Sequence, residues 1–300
     1  MPFQLKSSDR SVETGLRRIA RGQLDEARDR LKADLAGDPA SVHGLRKATK
    51  KLRGLLRLIR PVCPTARAET ARLRDAARQI AGLRDAEVML RTFETLEATL
   101  PADAIPPLRA LLESRRQQAT DPDALIAARR VFSDEIKAMR KRCGRWKIKG
   151  QEFDALRPGL TATWRRCRKG AKRARTALGD PGLPADAFHD WRKAVKQHWY
   201  QARLLLPIWP ELMAPHVEQA GELGELLGDH NDLDVLLTTL ESPRAPAAEP
   251  ALAALREVVI ARRRELAARS VALGSRLFAE PADALADRWE RWWQLWRAQT

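Results

Sequence analysis

Val42-His43-Gly44-Leu45-Arg46-Lys47-Ala48-Thr49-Lys50-Lys51-Leu52-Arg53 carries positive charge with no acid to balance it, and 146 positions later the pattern returns as Phe188-His189-Asp190-Trp191-Arg192-Lys193-Ala194-Val195-Lys196-Gln197. In both copies a His is followed by bases at +3, +4, +7 and +14, the last being Arg57 and Arg203. With about 100° per residue and His43 at zero, Arg46, Lys47, Lys50 and Arg57 fall within about a third of the circumference. Leu45, Leu52, Leu55, Leu56 and Ile59 take the other side. The stretch is therefore a helix that buries one face and presents a cationic ridge on the other. His189, Arg192, Lys193, Lys196 and Arg203 repeat the ridge, backed by Trp191, Val195, Ala202 and Leu205. Ordinary solvated faces mix signs through i, i+4 pairs. Here no acid occurs from Ser41 to Pro61, and only Asp190 from His189 to Pro207. Cations crowded in this way repel one another, and a bound polyanion relieves the repulsion.

Working outward, the duplication extends to the neighbouring segments. Long helices are expected near 11–36 and 153–178, each closed by a Gly-Asp-Pro breaker (Gly37-Asp38-Pro39 and Gly179-Asp180-Pro181). The basic helices follow at about 41–60 and 185–206, stopped by Pro61 and Pro207. Single helices near 65–98 and 211–241 hold a second doubled motif, Arg84-Asp85-Ala86-Glu87 and Asn231-Asp232-Leu233-Asp234. Beyond proline-rich connectors, helices are expected at 106–119 and 122–147 in the first half, and at 250–278 and 282–298 in the second. No stretch reads as a strand. The expected fold is all-α: two tandem-repeat four-helix units, 8–148 and 152–298, packed as one pseudo-two-fold body over 8–298.

Composition narrows the function. The formal charge of +16 points to an anionic partner, and the charge is uneven: residues 1–150 hold 33 Lys/Arg against 19 Asp/Glu, residues 151–300 hold 22 against 20. Cys63, Cys143 and Cys167 are odd in number and share no metal-type spacing, so a disulfide framework and a zinc site are both unexpected. No window of about 18 apolar residues offers a membrane span, and the start of the chain has no apolar signal core. A cytoplasmic protein without cofactor or metal is the expectation.

The doubled His helix at His43 and His189 and the doubled acidic motif at Asp85 and Asp232 resemble the CHAD family, the conserved histidine α-helical domain, over roughly residues 8–298. The resemblance implies basic residues gathered in a central groove, binding of inorganic polyphosphate, and association with polyphosphate granules. It assigns binding to His43, Arg46, Lys47, Lys50, Arg53 and Arg57, and to His189, Arg192, Lys193, Lys196 and Arg203. Arg115, Arg116, Arg262 and Arg263, also spaced as the repeat demands, form a second tier. Asp85 and Asp232 are expected to support the basic stripe rather than to act as metal ligands or bases. In the second copy His198-Trp199-Tyr200 replace Leu52-Arg53-Gly54 and Asn231 replaces Arg84. Binding by that copy is therefore expected to be weaker.

Polyphosphate has no base edges, so charge-assisted hydrogen bonds and counterion release must hold it. Arg forks onto two oxygens, Lys acts as an adjustable charge, and a protonated His donates. Affinity should rise toward pH 6 and fall steeply with salt. Two other classes compete: a nucleic-acid-binding protein, disfavoured because the stripes lack interleaved aromatics and base-reading amides, and a metal-dependent phosphohydrolase, for which no nucleophile or general base stands out. His198 reads as a core histidine, and Trp289, Trp292, Trp293 and Trp296 read as a bundle-core stripe, with Trp292 matched to Phe132 and Trp296 to Ile136.

Overall fold

The computed structural model describes residues 3–33, 39–80, 82–118, 122–179, 185–242 and 249–299. They form eleven α-helices and no strand: α1 Val12–Ala33, α2 Pro39–Ile59, α3 Ala66–Gln79, α4 Gly82–Glu94, α5 Ile105–Gln118, α6 Pro122–Cys143, α7 Arg157–Ala177, α8 Ala185–Leu205, α9 Pro210–Leu240, α10 Glu249–Leu277 and α11 Ala282–Ala298. The basic helices end at Ile59 and Leu205, two residues before their prolines and 146 positions apart. Within 8–148 the expected single helix at 65–98 is two helices. Ile80 leaves helical geometry at φ −97°, ψ 11°, and α4 restarts on Gly82, a poor helix former. Asp229 stands at the Gly82 position in the other half, and α9 runs through unbroken. The described residues thus give six helices to the first segment, where five ranges were expected, and five to the second, as the ranges had it; neither segment is limited to the four helices of the expected unit.

Helices α1, α2, α3 and α6 pack around one another, as do α7, α8, α9 and α10, with α11 against α7. A single apolar core runs through both groups, from Leu16, Leu24 and Leu55 to Trp164, Trp191 and Trp289, all essentially inaccessible. A second core joins the halves differently: Phe93 and Leu108 of α4 and α5 bury themselves with Leu236, Leu240 and Leu255 of α9 and α10. Glu69, 2% exposed, is held by the Arg142 guanidinium at 2.8 and 2.9 Å, which ties α3 to α6 and satisfies the buried carboxylate.

Two glycines set how closely the halves approach. A Cβ on Gly159 of α7 would lie 1.7 Å from the Leu58 carbonyl oxygen of α2. A Cβ on Gly54 of α2 would lie 2.6 Å from the Tyr200 Cβ of α8. Both distances are well inside van der Waals contact, so only glycine lets α2 lie against α7 and α8.

The C-terminal tryptophans pack as expected in kind but not in register. Trp289 and Trp293 are buried, whereas Trp292 and Trp296 are half-buried at the core's edge. Trp292 instead meets Trp209 edge-on and carries the Arg288 guanidinium on its face. His198 is fully buried, its Nε2 2.7 Å from His216 Nε2, inside a ring of Trp164, Phe278 and Trp289.

Candidate functional site

The contact at Gly54 decides the geometry of the basic helices. Gly54 lies near +20° on the α2 wheel, in the middle of the cationic ridge. Tyr200 holds the matching place on α8, as far past His189 as Gly54 is past His43. The ridges therefore meet centre to centre and do not point to opposite ends of the molecule. Beside the crossing lies a cleft of about 130 Å³, lined by Lys50, Arg53 and Gly54 from α2 and by Arg192, Lys193, Lys196, Gln197 and Tyr200 from α8. Five of the expected binding residues are brought together here.

Their surroundings differ. Arg53 reaches solvent yet loses hydration to the protein around it, which, with the nearby Arg74 charge, lowers its pKa. The Arg192 Nε is buried with no hydrogen-bond partner among the described residues, an arrangement that costs stability. Lys193 pairs with Asp190 of its own helix at 3.2 Å, and Lys196 with Glu225 of α9 at 2.6 Å. The expectation of a ridge free of counter-charge therefore fails at Lys193 and Lys196. For Lys196 the reason is tertiary, because α9 lies along α8 and brings its own carboxylates; Lys193 meets an acid of its own helix. Glu225 is 74% exposed, so a competing polyanion can displace it at small cost.

Helix α9 also shapes the floor. Gly224 and Gly228 face Lys196 and Arg192; a Cβ on Gly224 would lie 2.9 Å from Lys196 Cε, and one on Gly228 3.6 Å from Arg192 Nε. Without side chains there, both cations lie flat on α9. His189, exposed at the start of the ridge, hydrogen-bonds through Nδ1 to the Asn231 Oδ1, and Asn231 Nδ2 donates to Asp232 at 3.2 Å. Asp232 thus acts on the basic helix through Asn231, the residue that replaces Arg84. Burial, then Glu225 and Asp232, raise the pKa of Asp229 on the same face.

The remaining expected residues lie elsewhere. Lys47 is exposed further up α2. Arg203 packs on the face of Trp199 at 4.8 Å, where Lys196 also sits at 5.1 Å. Arg57 lines a different cleft, with Arg60, Arg67 and Lys149. Of the second tier, Arg262 pairs with Glu265, and the buried Arg263 pairs with Asp234 at 3.2 Å. Arg262 thus binds an acid of its own helix and Arg263 one of α9, and neither lines the cleft; nor do Arg115 and Arg116 of α5. The side chains of His43, Arg46 and Asp85 lie outside the described residues. Sequence reasoning passed over Gln197, Arg60, Arg67 and Lys149. Arg60 had a signal, three residues after Arg57, but Arg67 and Lys149 come from separate segments. Among the described residues no group of three His, Cys, Asp or Glu is placed to hold a metal, and no helix is long and apolar enough to cross a membrane.

An all-helical protein in which two basic helices cross over a shared cleft is the class this geometry defines. A family model for the CHAD domain matches residues 18–241; the chain belongs to the CHAD domain family. The crystal structure of the CHAD domain from the plant Ricinus communis shares the fold, with a TM-score of 0.61 at 21% identity over 94% of this chain and 98% of that one. No curated protein matches the sequence.

Proposed function

We propose that the α2–α8 cleft binds inorganic polyphosphate and performs no chemistry on it, and that the protein resides in the cytoplasm at polyphosphate granules. The observation that carries the reading is the cleft itself: Lys50 and Arg53 face Arg192, Lys193 and Lys196 across the Gly54–Tyr200 contact. A chain of phosphates laid there receives forked bonds from both arginines and adjustable charge from the lysines. Family membership supports the same ligand.

The lining supplies cations, an amide and a phenol whose pKa burial pushes up to about 12. Such groups hold an anion. The nucleic-acid alternative is weakened by the aromatics. Tyr200 is buried, and the Trp199 ring already carries Lys196 and Arg203, so neither offers a free face to a base. The arrangement as two copies of one unit, 8–148 and 152–298, related by a pseudo-two-fold, belongs to this proposal. It is supported by helix ends 146 positions apart and by the contact between Gly54 and its counterpart Tyr200.

The test is a filter-binding competition between long-chain polyphosphate and duplex or single-stranded DNA at physiological salt. Polyphosphate should displace DNA. DNA winning would overturn the reading, and metal-dependent phosphate release would overturn its non-enzymatic part.

A further inference from the structure

Arg57 points to a second site. The cleft it lines, about 700 Å³, lies at the C-terminal end of α2 and is walled by Arg57 of α2, Arg60 just past its end, the 61–64 turn, Arg67 of α3, Lys149 and Ala162 of α7. Four cations from three separate segments converge, and no carboxylate is among the lining residues. Arg166 adds a fifth charge nearby: burial first, then Arg166 and Arg60, depress the Arg57 pKa to about 10. The site is well fixed. Lys149 donates its amide to the Val62 carbonyl at 2.9 Å, and the Ile59 carbonyl at the end of α2 already accepts from Val62 and Cys63. Helix α3 begins at the cleft without a side-chain cap at Thr65, so its positive end adds to the field. The nearest acid of that turn, Glu69, is committed to Arg142.

We propose that this cleft is a second anion subsite, selective for a compact, multiply charged phosphate group such as the end of a polyphosphate chain. The extension to a chain end rests on the function proposed above; binding of a short oligophosphate does not. Lys50, Arg53 and Arg57 follow at i, i+3 and i+7 on one strip of α2, and Arg60 comes just past its end, a span of about 15 Å. That strip joins the α2–α8 cleft to the second one, with Arg53 lining the first and Arg57 the second. A terminal phosphate carries more charge than an internal one, and four cations with no carboxylate among the lining residues gather where the strip ends.

The experiment is calorimetric titration with tripolyphosphate and with long-chain polyphosphate. The proteins are wild type, Arg60→Ala/Arg67→Ala, Lys149→Ala, and the control Lys137→Ala/Lys141→Ala on α6, which lines neither cleft. Arg60, Arg67 and Lys149 are exposed, and unchanged melting temperatures verify folding. Wild type should take two tripolyphosphates per chain. The Arg60/Arg67 variant should take one and lose at least about tenfold in long-chain affinity, Lys149→Ala should weaken the same site, and the control should match wild type. Two tripolyphosphates still bound by the Arg60/Arg67 variant, or equal losses in the control, would overturn the subsite and leave the α2–α8 reading standing. One tripolyphosphate on wild type, lost in the Arg60/Arg67 variant, would establish the subsite and count against the α2–α8 reading.

Discussion

Removing a negative charge from α9 should tighten polyphosphate binding, and Glu225→Gln is the change that tests it. Glu225 Oε1 lies 2.6 Å from Lys196 Nζ, with 74% of the carboxylate side chain and 22% of the lysine side chain exposed. In bulk-water dielectric a pair at this distance is worth about 1.6 kcal/mol. Exposed pairs deliver about 0.2–1 kcal/mol once side-chain ordering is counted. A phosphate reaching Lys196 must compete for it and meets the Glu225 charge as well. Glutamine keeps the size and removes the competition, so the gain should be about 0.5–1 kcal/mol, or two- to fivefold in Kd at low salt. Because Lys196 is then neutralised by mobile counterions, the slope of log K against log salt should steepen by about 0.7. Titration with long-chain polyphosphate at several salt concentrations reads both quantities, with the exposed Glu218→Gln on the same helix as control. Unchanged or weaker binding by Glu225→Gln, or the same gain from Glu218→Gln, would refute the claim that Lys196 serves the cleft.

Three further outcomes are expected. Gly224→Ala places a Cβ 2.9 Å from the flexible end of Lys196; it should weaken polyphosphate binding several-fold while the thermal midpoint moves little, since alanine favours the helix by about 1 kcal/mol. Gly159→Ala drives a Cβ onto the Leu58 carbonyl at 1.7 Å, which no side-chain rotation relieves. It should cost about 3 kcal/mol or more in urea unfolding, or prevent folding. The third concerns acid. Burial, with the charges of Arg288 and Arg263 respectively, lowers His216 and His230 to about 4, and burial, with the neighbouring His216, holds His198 well below its ordinary value. Below about pH 6.5 the unfolded chain binds protons that the folded one refuses, so stability falls as pH drops. The slope should be about 1.4 kcal/mol per pH unit for each such histidine until its folded pKa is reached. Urea midpoints at pH 7 and pH 5 check this, and equal midpoints would contradict it.

The helices, their ends and the cationic ridge were legible in the sequence because each depends on local pattern. Leucines at helical spacing, Pro61 and Pro207 after the last turn, and bases on one face need no knowledge of distant residues. That the ridge occurs twice was equally plain, and with it the family resemblance. The break between α3 and α4 was missed: propensity at Gly82 is a weak signal, and the first half's α4 leaves α3 to pack with α5, α9 and α10.

The identity of the site was decided by tertiary contact. Gly54 and Tyr200 looked like a departure between the repeats, yet their meeting is what turns two ridges into one cleft. Sequence showed Lys193 and Lys196 as nearly unopposed; the approach of α9 gave Lys196 its carboxylate, and Asp190 folded back on Lys193. Sequence placed Arg57 and Arg203 at matching points of two stripes. Packing sent Arg203 onto Trp199 and Arg57 into a cluster with Arg60, Arg67 and Lys149. Electrostatic neighbours act through space over several ångströms, while sequence pattern reports only neighbours along one helix. The chain by itself therefore determined which residues carry the charge, and the fold determined where that charge gathers and which carboxylates reach it.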